Sequence, residues 1–209
     1  MVNNPIFVLL AGGKSERMGV DKGLLKFKHT FWILEQLQRI SKSTISTVYI
    51  GLGHNYENYF NAIPWFKNAL ENSYQFLNLD ITVVLNTSPE NGSFSTLQKV
   101  LQNIPDKNDL IISPIDTPIL NSKELCKIIS LQNTIVIPYF EGKNGHPIKL
   151  NYSFWNNLCK LDLNDESSRL DTQIKKTSPN KISTIEVFDK AIILNLNTKK
   201  DWLTYLKDC

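Results

Sequence analysis

The residues best suited to chemistry stand together near the start of the chain, in Leu10-Ala11-Gly12-Gly13-Lys14-Ser15-Glu16-Arg17-Met18-Gly19-Val20-Asp21-Lys22. Paired glycines have no Cβ, so the backbone turns tightly and presents several N–H groups to one anion. Arg17 adds a planar guanidinium fork and Lys22 a mobile ammonium, both suited to phosphate. Spacing excludes two common phosphate loops. A Walker A loop needs a glycine five positions before its Gly-Lys-Ser, where this chain has Val8. The Gly-x-Gly-x-x-Gly fingerprint fails as well, because Gly12 and Gly13 are adjacent and the next glycine is Gly19.

Two further groups of polar residues follow apolar runs. Asp116 lies in Ser113-Pro114-Ile115-Asp116-Thr117-Pro118, directly after Leu110-Ile111-Ile112. Ligands of open α/β sheets sit beyond the carboxyl ends of strands, which puts Asp116 on the same edge as the glycine loop. The flanking prolines restrict the backbone and help to aim a short carboxylate at a metal; shaping a turn is the alternative role. Near the C-terminus, Asn195 and Asn197 alternate in Leu194-Asn195-Leu196-Asn197-Thr198, so an extended backbone would point both to one face. Their carboxamide oxygens are hard, neutral ligands suited to magnesium, and Asn197 or Thr198 is also placed to cap the last helix.

The glycine loop resembles that of nucleotidyltransferases of the molybdenum cofactor guanylyltransferase (MobA-like) type. Their pattern, Leu-Ala-Gly-Gly-x-x-x-Arg-Met-Gly-x-Asp-Lys-x-Leu-Leu, is matched from Leu10 to Leu25. Asp116-Thr117-Pro118 fits that family's Asp-x-Pro element, whose aspartate binds magnesium. The segment from Asn195 to Asp201 is similar to its Asn-x-Asn-Thr-Pro-Glu-Asp/Glu, but Lys199 and Lys200 replace Pro-Glu. Gly92 with Ser95-Thr96-Leu97 looks instead like the cytidylyl branch, so base and acceptor stay open. Gly145-His146-Pro147 resembles a His-Pro pair of both branches.

The resemblance implies transfer of a nucleoside monophosphate from an NTP, GTP first, to a phosphate-bearing acceptor, molybdopterin or its molybdenum-loaded form, with release of pyrophosphate. It implies that Arg17, Lys22 and Asp116 are catalytic and that Leu10, Ala11, Gly12, Gly13, Lys14, Arg17, Lys22, Gly92 and Asp116 bind nucleotide. Asp116 and Asn197 would hold Mg2+, and His146 and Asn195 would meet the acceptor. The alternatives are a molybdopterin cytidylyltransferase or sugar-1-phosphate nucleotidyltransferase, and a non-catalytic protein that binds a nucleotide or partner.

These residues need a scaffold of alternating strands and helices. Strands are expected at Ile6 to Leu10, Val48 to Ile50, Ile81 to Leu85, Leu110 to Ile112, Thr134 to Pro138, Ile182 to Val187 and Ile192 to Leu194. Helical stripes run through Phe31, Leu34, Leu37 and Ile40, and through Leu97, Val100, Leu101 and Ile104. Another helix carries Leu125, Ile128 and Ile129 behind a Ser122 cap, and Trp202 to Leu206 form the last. The aromatic-rich segment His54 to Asn78 reads as core packing that covers the sheet or forms a partner surface.

The expected fold is α/β: a single-domain (1–209), Rossmann-like three-layer sandwich of nucleotidyltransferase (GT-A-like) type with a mostly parallel, mixed sheet. At 209 residues, 42% hydrophobic and 21% charged, the composition is that of a soluble globular domain. A net charge of +3 is too small to argue for nucleic acid. No run suggests a signal peptide or membrane span, and the widely spaced Cys126, Cys159 and Cys209 point to reduced thiols in the cytoplasm. A monomer or small homo-oligomer is expected.

Overall fold

The computed structural model describes residues 4–105 and 107–208. The first three residues and Cys209, which entered the leader and thiol arguments, lie outside them.

Strand β1 (Ile6–Ala11) is the axis of the molecule. Phe7, Val8 and Leu9 are fully buried, as expected of a short apolar run with covered faces. It pairs in parallel with β4 (Thr47–Leu52) on one side and β7 (Leu110–Pro114) on the other. Beyond β4 come β6 (Leu79–Leu85), parallel, and β5 (Tyr74–Phe76), antiparallel. Beyond β7 lie β10 (Ile148–Leu150), antiparallel to both its neighbours, then β8 (Ile135–Phe140) and β11 (Ile182–Glu186). The short β9 (Lys143–Asn144) pairs with β8, and β2 (Lys26–Phe27) with β3 (Thr30–Phe31) forms a separate hairpin. The sheet is mixed and its central strands are parallel.

Helices cover both faces, giving three layers. Alternation along β1 sends Phe7 and Leu9 to one core and Ile6 and Val8 to the other. The first core is packed by α1 (Trp32–Ile40), α2 (Tyr56–Ala62), α3 (Trp65–Glu71), α5 (Ser122–Ser130) and α8 (Lys199–Lys207). The second is packed by α4 (Ser93–Asn103), α6 (Tyr152–Leu158) and α7 (Leu170–Lys175). No described helix is long and apolar enough to cross a membrane.

Several expectations need correction. In α1 the buried face is Trp32, Ile33, Gln36, Leu37 and Ile40, while Phe31 ends β3 and Leu34 is half-buried. Repeated steps of three drift round a helix; a stripe holds one face only when threes alternate with fours. Ile192 and Ile193 belong to a 3-10 turn (Lys190–Ile193) instead of a strand, started by the Asp189 carboxylate, which accepts from Ala191 N at 3.0 Å. Asn121, one residue before Ser122, caps α5 and accepts from Glu124 N at 3.1 Å. The segment from His54 to Asn78 forms α2, α3 and β5. Tyr59, Phe60 and Phe66 are buried there, and Trp65 stacks on Tyr74 with centroids 4.6 Å apart.

Candidate active site

The chain turns from β1 first to β4 and β6 on one side and only later to β7 on the other, so the order of the sheet reverses between β1 and β7. Such a switch point opens a crevice at the carboxyl ends of its two strands. Leu10 is in register with Pro114, and Ile115 N donates to Leu10 O at 2.9 Å. Gly12 and Asp116, two residues further on each side, therefore emerge at the same level.

Packing demands some of the glycines. A Cβ on Gly12 would stand 2.6 Å from Thr96 Oγ1, so only a bare backbone lets α4 come this close. Thr96 is itself held by Asn86, whose Nδ2 donates to Ser95 Oγ at 2.8 Å and to Thr96 Oγ1 at 3.0 Å. Among the described residues nothing lies within 4 Å of the Cβ position of Gly13, so its backbone faces open space. The rest of the loop closes on itself, with Lys22 N donating to Ser15 Oγ at 3.2 Å and Met18 buried beneath.

The aromatic segment braces this loop from behind. Asp21 is buried and accepts from Asn55 Nδ2 at 3.0 Å and Asn58 Nδ2 at 2.7 Å. Gly23 N donates to the Tyr59 hydroxyl at 3.2 Å, and burial, with the Asp21 charge adding, pushes that hydroxyl's pKa up.

Asp116 is positioned through its backbone. Trp32 Nε1 donates to Ile115 O at 2.7 Å, which ties the loop to α1. Leu196 N donates to Asp116 O at 2.8 Å, which straps the C-terminal segment across it. The strap delivers Asn197: Lys22 Nζ lies 2.7 Å from Asp116 Oδ2 and 2.6 Å from Asn197 Oδ1. A carboxylate oxygen and a carboxamide oxygen thus meet at one cationic point, a donor set suited to a small hard divalent ion.

Thr198 takes the cap of α8 and leaves Asn197 free for this contact. Asp201 N donates to Thr198 Oγ1 at 3.2 Å, and Thr198 N donates back to Asp201 Oδ2 at 2.8 Å. Hydrogen bonding with Thr198, side chain first, holds the Asp201 carboxyl below the usual carboxylate range, and the nearby Arg17 charge contributes less. Thr198→Ala is expected to lower stability by about 1 kcal/mol, read from the urea midpoint. An unchanged midpoint would mean that the box does not hold α8.

The structure gathers Leu10, Ala11, Gly12, Gly13, Lys22 and Asp116 around one cleft of about 190 Å³, and adds Ser15, Ser93, Thr96, Pro114 and Ile115. Ser93 and Thr96 were not among the expected site residues, although Thr96 belongs to the stretch, beginning at Gly92, that resembles the cytidylyl branch; Gly92, with a φ of +88°, starts α4 at the rim. Gly92 itself does not line the cleft. Arg17 is exposed at the loop's outer side, and Lys14 pairs loosely with Glu16 at 3.8 Å. His146 lines an adjoining, mainly apolar hollow with Leu97, Ile148 and Ile174. Burial pulls its pKa down against the opposing Asp116 charge and Ile112 backbone bond, and its Nδ1 is buried without a partner.

Asn195 is not brought to the cleft. Asn197 N donates to Asn195 O at 2.9 Å, a turn two residues long that breaks the expected alternation. Asn195 instead lines a separate hollow with Arg39 and Tyr205.

Comparison with known proteins identifies the family and the fold. The model of the MobA-like NTP transferase domain matches residues 7–177. The chain belongs to that family. A molybdenum cofactor guanylyltransferase from Xanthomonas euvesicatoria is 24% identical to this MobA-like chain over 195 residues, spanning 93% of it and 90% of the relative. One from Campylobacter jejuni is 26% identical over 199 residues, spanning 93% and 92%. Among solved structures, the Mycobacterium tuberculosis protein Rv0371c aligns with a TM-score of 0.76 at 19% identity, covering 99% of each chain. A Methanothermobacter nucleotidyl transferase aligns with a TM-score of 0.75 at 15% identity, covering 99% of this chain and 97% of its own. The MobA-like fold of this nucleotidyltransferase is therefore shared over essentially the whole chain.

Proposed function

We propose that this nucleotidyltransferase moves GMP from GTP to the terminal phosphate of molybdopterin or its molybdenum-loaded form, releasing pyrophosphate. The observation that carries the reaction class is the convergence of Asp116 Oδ2 and Asn197 Oδ1 on Lys22 Nζ beside the glycine turn. The choice of guanine and molybdopterin rests on the two relatives, both molybdenum cofactor guanylyltransferases.

The acceptor phosphate is already an anionic nucleophile, so the protein's work is positioning and charge neutralisation. Backbone N–H groups at Gly12 and Gly13 seat the nucleotide, with Leu10 and Ala11 against the base. Lys22 reaches the α-phosphate from its present contacts, and Arg17 holds the departing end. His146 and its apolar hollow receive the acceptor. Asp116 and Asn197 would hold Mg2+, which would supply charge to offset that of the phosphates. Cys126 and Cys159 are free thiols, in keeping with a cytoplasmic enzyme.

A second reading, CTP as donor, is favoured by Ser93 and Thr96 in the cleft wall, within the stretch that resembles the cytidylyl branch. Incubation of the protein with magnesium, each of the four NTPs and candidate acceptors, followed by a pyrophosphate assay, decides. GTP with molybdopterin is expected to release the most. Absence of pyrophosphate with every pair would overturn the proposal.

A further inference from the structure

A second hollow of about 470 Å³ adjoins the cleft at Asp116, and Ser15 lines both. This outer hollow is walled by the loop tip, including Lys14, Gly19 and Asp21. Of its carboxylates, Asp21 is engaged by Asn55 and Asn58, and exposed Glu16 pairs loosely with Lys14. A triphosphate whose α-phosphate lies at Lys22 would extend its β and γ groups along this trough.

Lys199 reaches the loop tip at Gly19, one of the residues that line this hollow. Its Cε lies 3.9 Å from the Cβ position of Gly19, and among the described residues no other group outside Gly19's chain neighbours comes within 4 Å of that point. Lys199 is exposed at the first position of α8, two residues after Asn197. Intrinsic helix energetics disfavour it there. The positive end of the helix dipole repels a cation, and a helix start favours proline or an acid, the residues Pro-Glu that the family pattern carries. A lysine at this position gains from an anion that arrives from outside.

We infer that Lys199 is a further phosphate-binding residue of this chain, contacting the β- and γ-phosphates of the NTP and the pyrophosphate that leaves. The inference rests on the nucleotidyltransferase reading above. It assigns to the start of α8 a second cationic arm, on the same helix turn whose Asp201 feels the Arg17 charge, so that two cations serve the departing group. Free pyrophosphate and intact triphosphate both feel Lys199, whereas a nucleoside monophosphate, ending at Lys22, does not.

Calorimetric titration of the whole protein with magnesium pyrophosphate, GTP and GMP, together with KM for the NTP, provides the test. Lys199→Gln should weaken pyrophosphate and GTP about tenfold, the usual effect of losing one charged hydrogen bond, and leave GMP unchanged. Lys199→Arg should restore binding, and Lys200→Gln, which removes the adjacent charge, should behave as wild type. Lys199→Pro gives the charge-free case with the helix start secured, checked by its melting temperature. Equal pyrophosphate affinity in wild type, Lys199→Gln and Lys199→Pro would overturn the inference and leave the reaction standing. A wild-type protein that binds neither pyrophosphate nor any NTP would overturn both.

Discussion

Asp116→Ala should fold normally and lose turnover by on the order of a hundredfold or more, the usual effect of removing a charge that faces a reacting phosphate. The side chain is only partly buried and contributes no core packing. Its loop is held by groups that the substitution leaves intact, the Trp32 indole on Ile115 O and Leu196 N on Asp116 O. What disappears is the carboxylate oxygen 2.7 Å from Lys22 Nζ. Thermal unfolding near the wild-type temperature would show that the scaffold survives, and pyrophosphate release measures the chemistry. Full activity in magnesium would remove Asp116 from the site.

Lys22→Met should separate two consequences of a single charge. Methionine keeps the apolar stem, so packing changes little. Turnover should fall about a hundredfold through loss of the ammonium at the α-phosphate. Affinity for bare Mn2+ without nucleotide should move the other way, rising at least about tenfold, because the cation that now occupies the meeting point of Asp116 and Asn197 repels a second one. Electron paramagnetic resonance titration reads free manganese directly. Unchanged or weaker manganese binding would mean that lysine and metal do not compete for one place.

The parts of this site legible in the sequence share one property: each follows a buried apolar run whose end fixes its position. Gly12 and Gly13 leave β1, Asp116 leaves β7, and parallel registry between those strands sets them level. The parts that were not legible depend on contacts distant in the chain. Nothing local announces that Thr96 presses on Gly12 or that Asn86 holds Thr96 there. Asn195 and Asn197 look equivalent until one backbone bond turns the first away. The antiparallel β10 was hidden too. Its Lys149 reads as a surface residue, but it is buried, with Nζ on Ile129 O at 2.9 Å, Leu131 O at 2.7 Å and Asp109 Oδ2 at 3.2 Å. The aromatic segment shows a different gap, since composition announced packing but not that Asn55, Asn58 and Tyr59 would brace a phosphate loop.

The strap from Leu196 to Asp116 bears on how the enzyme comes to life during translation. Every described strand of the sheet precedes Asn197 in the chain and can assemble before it emerges, so the stretch whose oxygen completes the pair at Lys22 arrives after the sheet is made. That stretch is anchored late as well, by Trp202 edge-on to Trp32 at 5.2 Å. A chain interrupted before Asn197 would therefore carry a glycine cradle and Asp116 without the second ligand, a sheet already built but a site not yet competent.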